Sequence, residues 1–162
     1  YNLIHVISAQ AQLYKIKQKM QMGMYVNDLE YGNIEKHINS SEAFWYQRAR
    51  NAIKNKEYQL ANECLDKAYC YTSMPRILLS LYEIKKKLGK EDLAIKPIIT
   101  YTNMCPNKLL PRMILMRYYR HRNEIDKAII YAKSIVEIEQ KVYNPKAISF
   151  KREAMAFLNT HK

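Results

Sequence analysis

Residues 44–69 read FWYQRARNAIKNKEYQLANECLDKAY. A helical stretch meets a short polar break at Asn55, Lys56 and Glu57, and a second helical stretch follows with Ala61 early in it. The same layout returns in ILLSLYEIKKKLGKEDLAIKPIITY (77–101) and in RMILMRYYRHRNEIDKAIIYAKSI (112–135). The early alanines, Ala61, Ala94 and Ala128, recur at a nearly constant interval. An interval of this size is the period of a helix pair stacked on copies of itself.

This pattern resembles the tetratricopeptide repeat (TPR), two antiparallel helices in about 34 residues. Trp45 stands at the opening large-residue position. Leu78 and Arg112 stand at the equivalents, the latter a departure. Gly89 matches the glycine of the turn, with Lys56 and Asn123 in its place elsewhere. Tyr58 and Ile125 match the large residue after the turn, where Glu91 departs. The three alanines fit where the second helix must approach the first closely. Ala68 fits the second small position; Tyr101 and Ile135 do not. Pro106 fits the terminating proline. Each residue type has a physical reason: glycine adopts the left-handed cap without penalty, and proline stops a helix.

A fourth, weaker copy comes first. Gly23 and Tyr25 fall in the turn positions, and Asp28 falls where alanine is expected, one period before Ala61. At the other end, Asn144-Pro145 reads as a helix start. Ala147, Phe150, Ala154, Phe157 and Leu158 then share an inward face, while Lys151, Arg152, Glu153 and Asn159 lie off it. Such a helix suits the exposed end of a repeat array. The expected architecture is therefore all-α, a TPR-like right-handed α-solenoid of about nine helices in one domain. Its units span about 1–40, 41–74, 75–107 and 108–140, with a capping helix at 146–160. Pro97 lies inside a second helix and predicts a kink or a delayed start there.

Composition agrees. The 162 residues are 48% hydrophobic and include only three glycines and five prolines, and helix formers dominate. With 27 basic against 15 acidic residues the net charge is +12. That balance favours anionic partners. Cys64, Cys70 and Cys105 form no CxxC and read as reduced, partly buried thiols of a reducing compartment. No stretch approaches 18 apolar residues, and no signal-peptide pattern opens the chain. A start at Tyr1 reads as a piece of a longer protein.

In TPR arrays the first helices line a groove. The positions placed there are Tyr46, Arg50 and Lys54, then Arg76, Leu79, Glu83, Lys86 and Lys87, then Met113, Arg117, Arg120 and His121. No acidic residue occurs between Leu93 and Asn123. The predicted groove is electropositive with a few apolar contacts. It suits an acidic extended segment of a partner protein, a C-terminal carboxylate or an anionic membrane surface. The competing reading is a solvated basic face. Basic residues in RYYRHR, 117–122, also complement the C-terminal end of a first helix. Tyr119 falls on a packing position and Tyr118 at a neighbouring interface.

No nucleic-acid recognition motif accompanies the charge, so specific nucleic-acid binding is not expected. His5, His37, His121 and His161 are scattered, without metal-ligand spacing, so neither a metal site nor a cofactor is expected. No nucleophile elbow or phosphate-cradling glycine loop occurs, and the expectation is a non-catalytic domain.

Residues 21–68 and the segment KVYNPKAISFKREAMAFL (141–158) resemble the C-terminal region of Bacteroidetes-type O-antigen polymerase/ligase-like membrane proteins. The resemblance implies a soluble TPR tail behind a multi-spanning domain that carries the glycan chemistry, so no catalytic residue transfers to this chain. It also implies the cytoplasmic side of a bacterial inner membrane, in keeping with the lysine and arginine excess. A freestanding adaptor or regulator in the cytoplasm is the alternative, and a nucleic-acid-associated helical repeat is the third reading, ranked below it.

Overall fold

The computed structural model describes residues 3–161, which form nine α-helices and no strand. They are α1 (Leu3–Gln21), α2 (Asp28–Ile38), α3 (Glu42–Lys54), α4 (Tyr58–Tyr71), α5 (Pro75–Lys87), α6 (Glu91–Met104), α7 (Leu109–His121), α8 (Ile125–Glu137) and α9 (Pro145–Thr160). The chain forms two compact units, one ending at Ala94 and one beginning at Ile95, so the boundary falls inside α6.

Four turns keep the repeat in register. Gly23, Lys56, Gly89 and Asn123 all have positive φ, at 76°, 62°, 72° and 60°. Each closes the preceding helix with the same two hydrogen bonds. The Lys56 N–H donates to the Ile53 carbonyl and the Glu57 N–H to that of Ala52. The pairs at Gly89/Lys90 and Asn123/Glu124 repeat this, as does Gly23/Met24 after α1. This is the Schellman cap, which satisfies carbonyls that a helix end leaves orphaned. A lysine at 56 adopts the left-handed conformation at a cost of about 1 kcal/mol.

In the first unit, α1 to α5 bury a continuous core that includes Leu13, Ile16, Tyr31, Ile34, Phe44, Trp45, Leu65, Ile77 and Leu81. Ala49, Ala52, Ala61 and Ala68 are fully buried, as the close packing of α3 on α4 requires. Truncating Leu65 to alanine would cost about 2–5 kcal/mol by the cavity it leaves. In the second unit, α9 packs on α8 and α7. Ala147, Ala154 and Phe157 join Met113, Met116, Ala128, Ala132 and Ile135 in one core. The Asn144 side chain caps α9 by accepting from the N–H groups of Lys146 and Ala147, with Pro145 in the first turn.

Two expectations are corrected. Asp28 does not occupy an alanine position. The helix α2 begins there, with Asn27 as its cap, and Tyr31, Ile34 and Ile38 supply its buried face instead. Nor is there a delayed start at Pro97: α6 runs from Glu91 through it to Met104. Cys64 is buried and Cys105 half-buried, but Cys70 is exposed; all three are free thiols.

Candidate functional site

The opening position of the repeat shows how chemistry can change while geometry holds. Trp45 is buried and donates through Nε1 to the Asn39 carbonyl at 2.6 Å. Arg112, its counterpart, donates through Nε and an Nη to the Pro106 carbonyl at 3.1 and 2.8 Å. Both side chains secure the carbonyl six residues upstream, one by an indole and one by a guanidinium.

Several basic side chains are internal ties. The Arg48 guanidinium, 12% exposed, makes a bidentate contact with Asp28 at 2.8 and 2.7 Å and a further bond to Glu35 at 2.7 Å. These bonds, the one to Asp28 foremost, raise its already high pKa. Lys85 of α5 reaches Asn62 and Asp66 of α4 at 2.9 and 3.1 Å. Sequence reasoning foresaw neither tie, because the partners lie on other helices.

The predicted groove residues divide into several environments. Arg76 is paired with Glu42 at 2.8 Å and lies 4.8 Å over the half-buried ring of Tyr46. Lys86 lies over Tyr82 and Lys87 over Tyr58, at 5.6 and 5.2 Å. Met113, expected to face a partner, is fully buried in the core that α7, α8 and α9 share. Arg117 binds both carboxylate oxygens of Glu153 at 3.1 and 2.6 Å, and Arg120 reaches the same group at 3.3 Å. The hydrogen bonds of Arg117, more than the charge of Arg120, hold the Glu153 carboxyl below its ordinary value. Arg122 pairs with Glu124 at 3.3 Å. His121 is exposed at the end of α7. The arginines of RYYRHR are thus engaged by carboxylates of the chain itself. Tyr119, half-buried, stacks on Tyr131 at 5.8 Å, as its packing position predicts.

Arg50 and Lys54 have a different setting. They line an open cleft of about 360 Å³ between α1 and α3, with Gln47 on the same helix and Lys17, Met20 and Gln21 on α1. Three cations and no carboxylate face it. Lys54 donates to the Met24 carbonyl at 3.3 Å. Lys17 and Arg50 form no ion pair among the described residues. Met20 brings an apolar surface, and the Gln47 amide oxygen is buried without a hydrogen-bond partner. The arrangement can accept a carboxylate or another small anion attached to a chain with some apolar character. Lys17 was missed from the sequence, although it stands one full repeat before Arg50.

Burial pushes the Cys64 thiol up to about 12, which leaves it protonated and unreactive at neutral pH.

No protein-family model and no curated protein matches the sequence. Solved structures do. The chain is similar to the crystal structure of MamA, with a TM-score of 0.69 and 15% identity over 91% of this chain and 81% of that one. It is similar also to YrrB, a TPR protein with an unusual peptide-binding site, with a TM-score of 0.63 and 14% identity over 96% and 76%. With its helices and in-register turns, the chain has an all-α, TPR-like solenoid fold.

Proposed function

We propose that the chain is a non-catalytic protein-interaction scaffold that takes an acidic, extended segment of a partner protein at the cleft between α1 and α3. The observation that carries this reading is the convergence of Lys17, Arg50 and Lys54 around a carboxylate-free cleft in the first unit. A carboxylate there gains charge-assisted hydrogen bonds, and Met20 adds apolar contact. YrrB, a peptide-binding neighbour in fold, agrees with a peptide as the occupant.

Fluorescence anisotropy with labelled acidic peptides tests the reading. A peptide ending in a free carboxylate should bind, and its amidated, charge-neutral counterpart should bind at least about tenfold more weakly, the loss of one charge-assisted contact. The double variant R50E/K54E should lose the binding while circular dichroism remains helical. Equal binding by wild type and double variant sinks the proposal.

The wider role we propose is that of the soluble tail of an O-antigen polymerase- or ligase-like membrane protein, recruiting partners on the cytoplasmic side of a bacterial inner membrane. The resemblance of residues 21–68 and 141–158 supports it, as does the net charge of +12. Several hydrophobic spans encoded upstream of Tyr1 are the expected finding. A gene that encodes none would leave a freestanding adaptor with the same cleft.

A further inference from the structure

The helix α1 differs from the first helices of the next two repeats in what it leaves uncovered. It is 19 residues long, against 13 for α3 and for α5, and it buries Ala9, Leu13 and Ile16. At 3.6 residues per turn, Ile7, Ala11 and Tyr14 form a stripe on the opposite side, and Met22 continues it just past the helix. Ile7, Tyr14 and Met22 are 57, 61 and 75% exposed, and Ala11 is exposed as well.

The neighbouring repeats show what such a face receives. The turn at Gly23 is equivalent to the turn at Lys56, so Ala11, Lys15 and Gln18 correspond to Phe44, Arg48 and Asn51 of α3. That face of α3 receives α2. Phe44 meets Tyr31 edge-on at 6.1 Å, and Asn51 donates to the Val26 carbonyl at 3.0 Å. Arg48 is held between Asp28 and Glu35, two turns apart on α2. The same side of α5 receives α4, with Ile77, Leu81 and Ile84 buried and Lys85 paired with Asp66. In both cases an amphipathic helix lies on an apolar stripe, and its acidic side chain meets a cation beside that stripe. On α1 the stripe is present and Lys15 is the cation. Lys15 forms no ion pair among the described residues, and Glu30, which lines the same groove, is taken by Lys19 at 2.8 Å.

We infer that this face of α1 docks an amphipathic helix of a partner protein, one with an apolar stripe and carboxylates two turns apart that hold Lys15 as Asp28 and Glu35 hold Arg48. Charge selects this occupant. Residues 3–21 include three lysines and no acidic residue, so a second copy of α1 laid on the first would bring no carboxylate to meet them. The inference does not depend on the peptide cleft, which lies between α1 and α3 and takes an extended segment rather than a helix.

The probe is a synthetic amphipathic helix of about 20 residues, long enough to be helical alone, with a leucine stripe and glutamates two turns apart beside it. Its counterpart carries lysines in place of the glutamates. By fluorescence anisotropy the glutamate helix should bind the purified chain, and the lysine helix should bind at least about tenfold more weakly. Ile7→Asp combined with Tyr14→Asp should lose the binding while circular dichroism remains helical, since both side chains are exposed. Lys15→Glu should reverse the preference between the two probes, a gain that misfolding cannot produce. R50E/K54E should leave binding within about twofold, which separates this face from the cleft. Failure of both probes to bind overturns the inference, as does equal binding of the two, or a loss confined to R50E/K54E. A dimer of the wild-type chain that Ile7→Asp dissociates would make the occupant a second copy and overturn it. Binding to phosphatidylglycerol vesicles in place of the glutamate helix, lost in the same variant, would make it a lipid surface and overturn it equally.

Discussion

Arg50 and Arg117 hold the same place in their repeats, two periods apart along the chain. Arg117 is clamped to Glu153 of α9, whereas Arg50 opens on a cleft that no carboxylate enters. A second pair differs in the same spirit. Arg48 and Leu115 are also equivalent positions. The first unit places there a guanidinium held by Asp28 and Glu35, and the second a fully buried leucine. The repeat sets where a side chain stands. The neighbouring helix decides whether a charge there is tied within the chain or left facing an open cleft.

The largest expected effect tests the second pair. Arg48→Ala leaves two carboxylates facing each other without their cation, and should cost about 2–4 kcal/mol, near the range for breaking a buried pair because Arg48 is almost enclosed. Leu115→Ala should cost about 2–5 kcal/mol through a cavity. Urea denaturation measures both. A loss below about 0.5 kcal/mol for Arg48→Ala, the range of exposed pairs, would mean that the clamp contributes no more than a surface contact.

The first pair is sharpened by binding. Arg50→Glu should weaken an acidic peptide at least about tenfold, since it replaces an attraction by a repulsion. Arg117→Glu should leave binding within about twofold and act on stability instead, because its partner belongs to the chain itself. Equal losses of peptide affinity in the two variants would erase the distinction.

Glu153 gives a smaller effect with a defined sign. Its carboxyl titrates below the ordinary value near 4.5, held there chiefly by Arg117. The folded state therefore binds fewer protons than the unfolded state in that window. The contribution is fully present above the ordinary carboxylate pKa and is lost as pH falls through the depressed one. Glu153→Gln should cost about 0.5–1 kcal/mol at pH 7, as for an exposed but bidentate pair, and nothing at pH 2. A variant deficit that persists unchanged to pH 2 would assign the effect to packing of α9 rather than to charge.

The sequence carried the periodic parts of this molecule. Ala61, Ala94 and Ala128 could be placed because a buried small residue leaves a trace at a fixed spacing. The turn residues at 56, 89 and 123 left the same trace. The candidate cleft was legible only in part. Arg50 and Lys54 follow from helix phase, but Lys17 required carrying the register one repeat further back, into the copy whose second helix starts late. Glu153 looked like a solvent residue because a lone carboxylate off an apolar face gives no sign of the arginines it will meet. Met113 was misplaced for the same reason: helix phase alone does not show that it joins the core shared by α7, α8 and α9. The stacking of His5 on His37 is hidden by the long stretch of α1 and α2 that separates them in sequence.

The smallest expected effect returns to the turns. Lys56 and Asn123 both sit at φ near 60°, a conformation in which a Cβ crowds the following carbonyl. Asparagine tolerates it better than lysine, since its short polar side chain can hydrogen-bond locally. Lys56→Gly should therefore stabilise by about 0.5–1 kcal/mol, the relief of strain offset by the greater freedom of glycine in the unfolded chain. Asn123→Gly should change stability by only a few tenths of a kcal/mol. Thermal unfolding followed at 222 nm resolves the difference as a rise of roughly 1–4 °C for Lys56→Gly and little for Asn123→Gly. If both substitutions destabilise, the side chains rather than the backbone fix these turns, and the Schellman bonds that the two units share are a consequence of packing and not its cause.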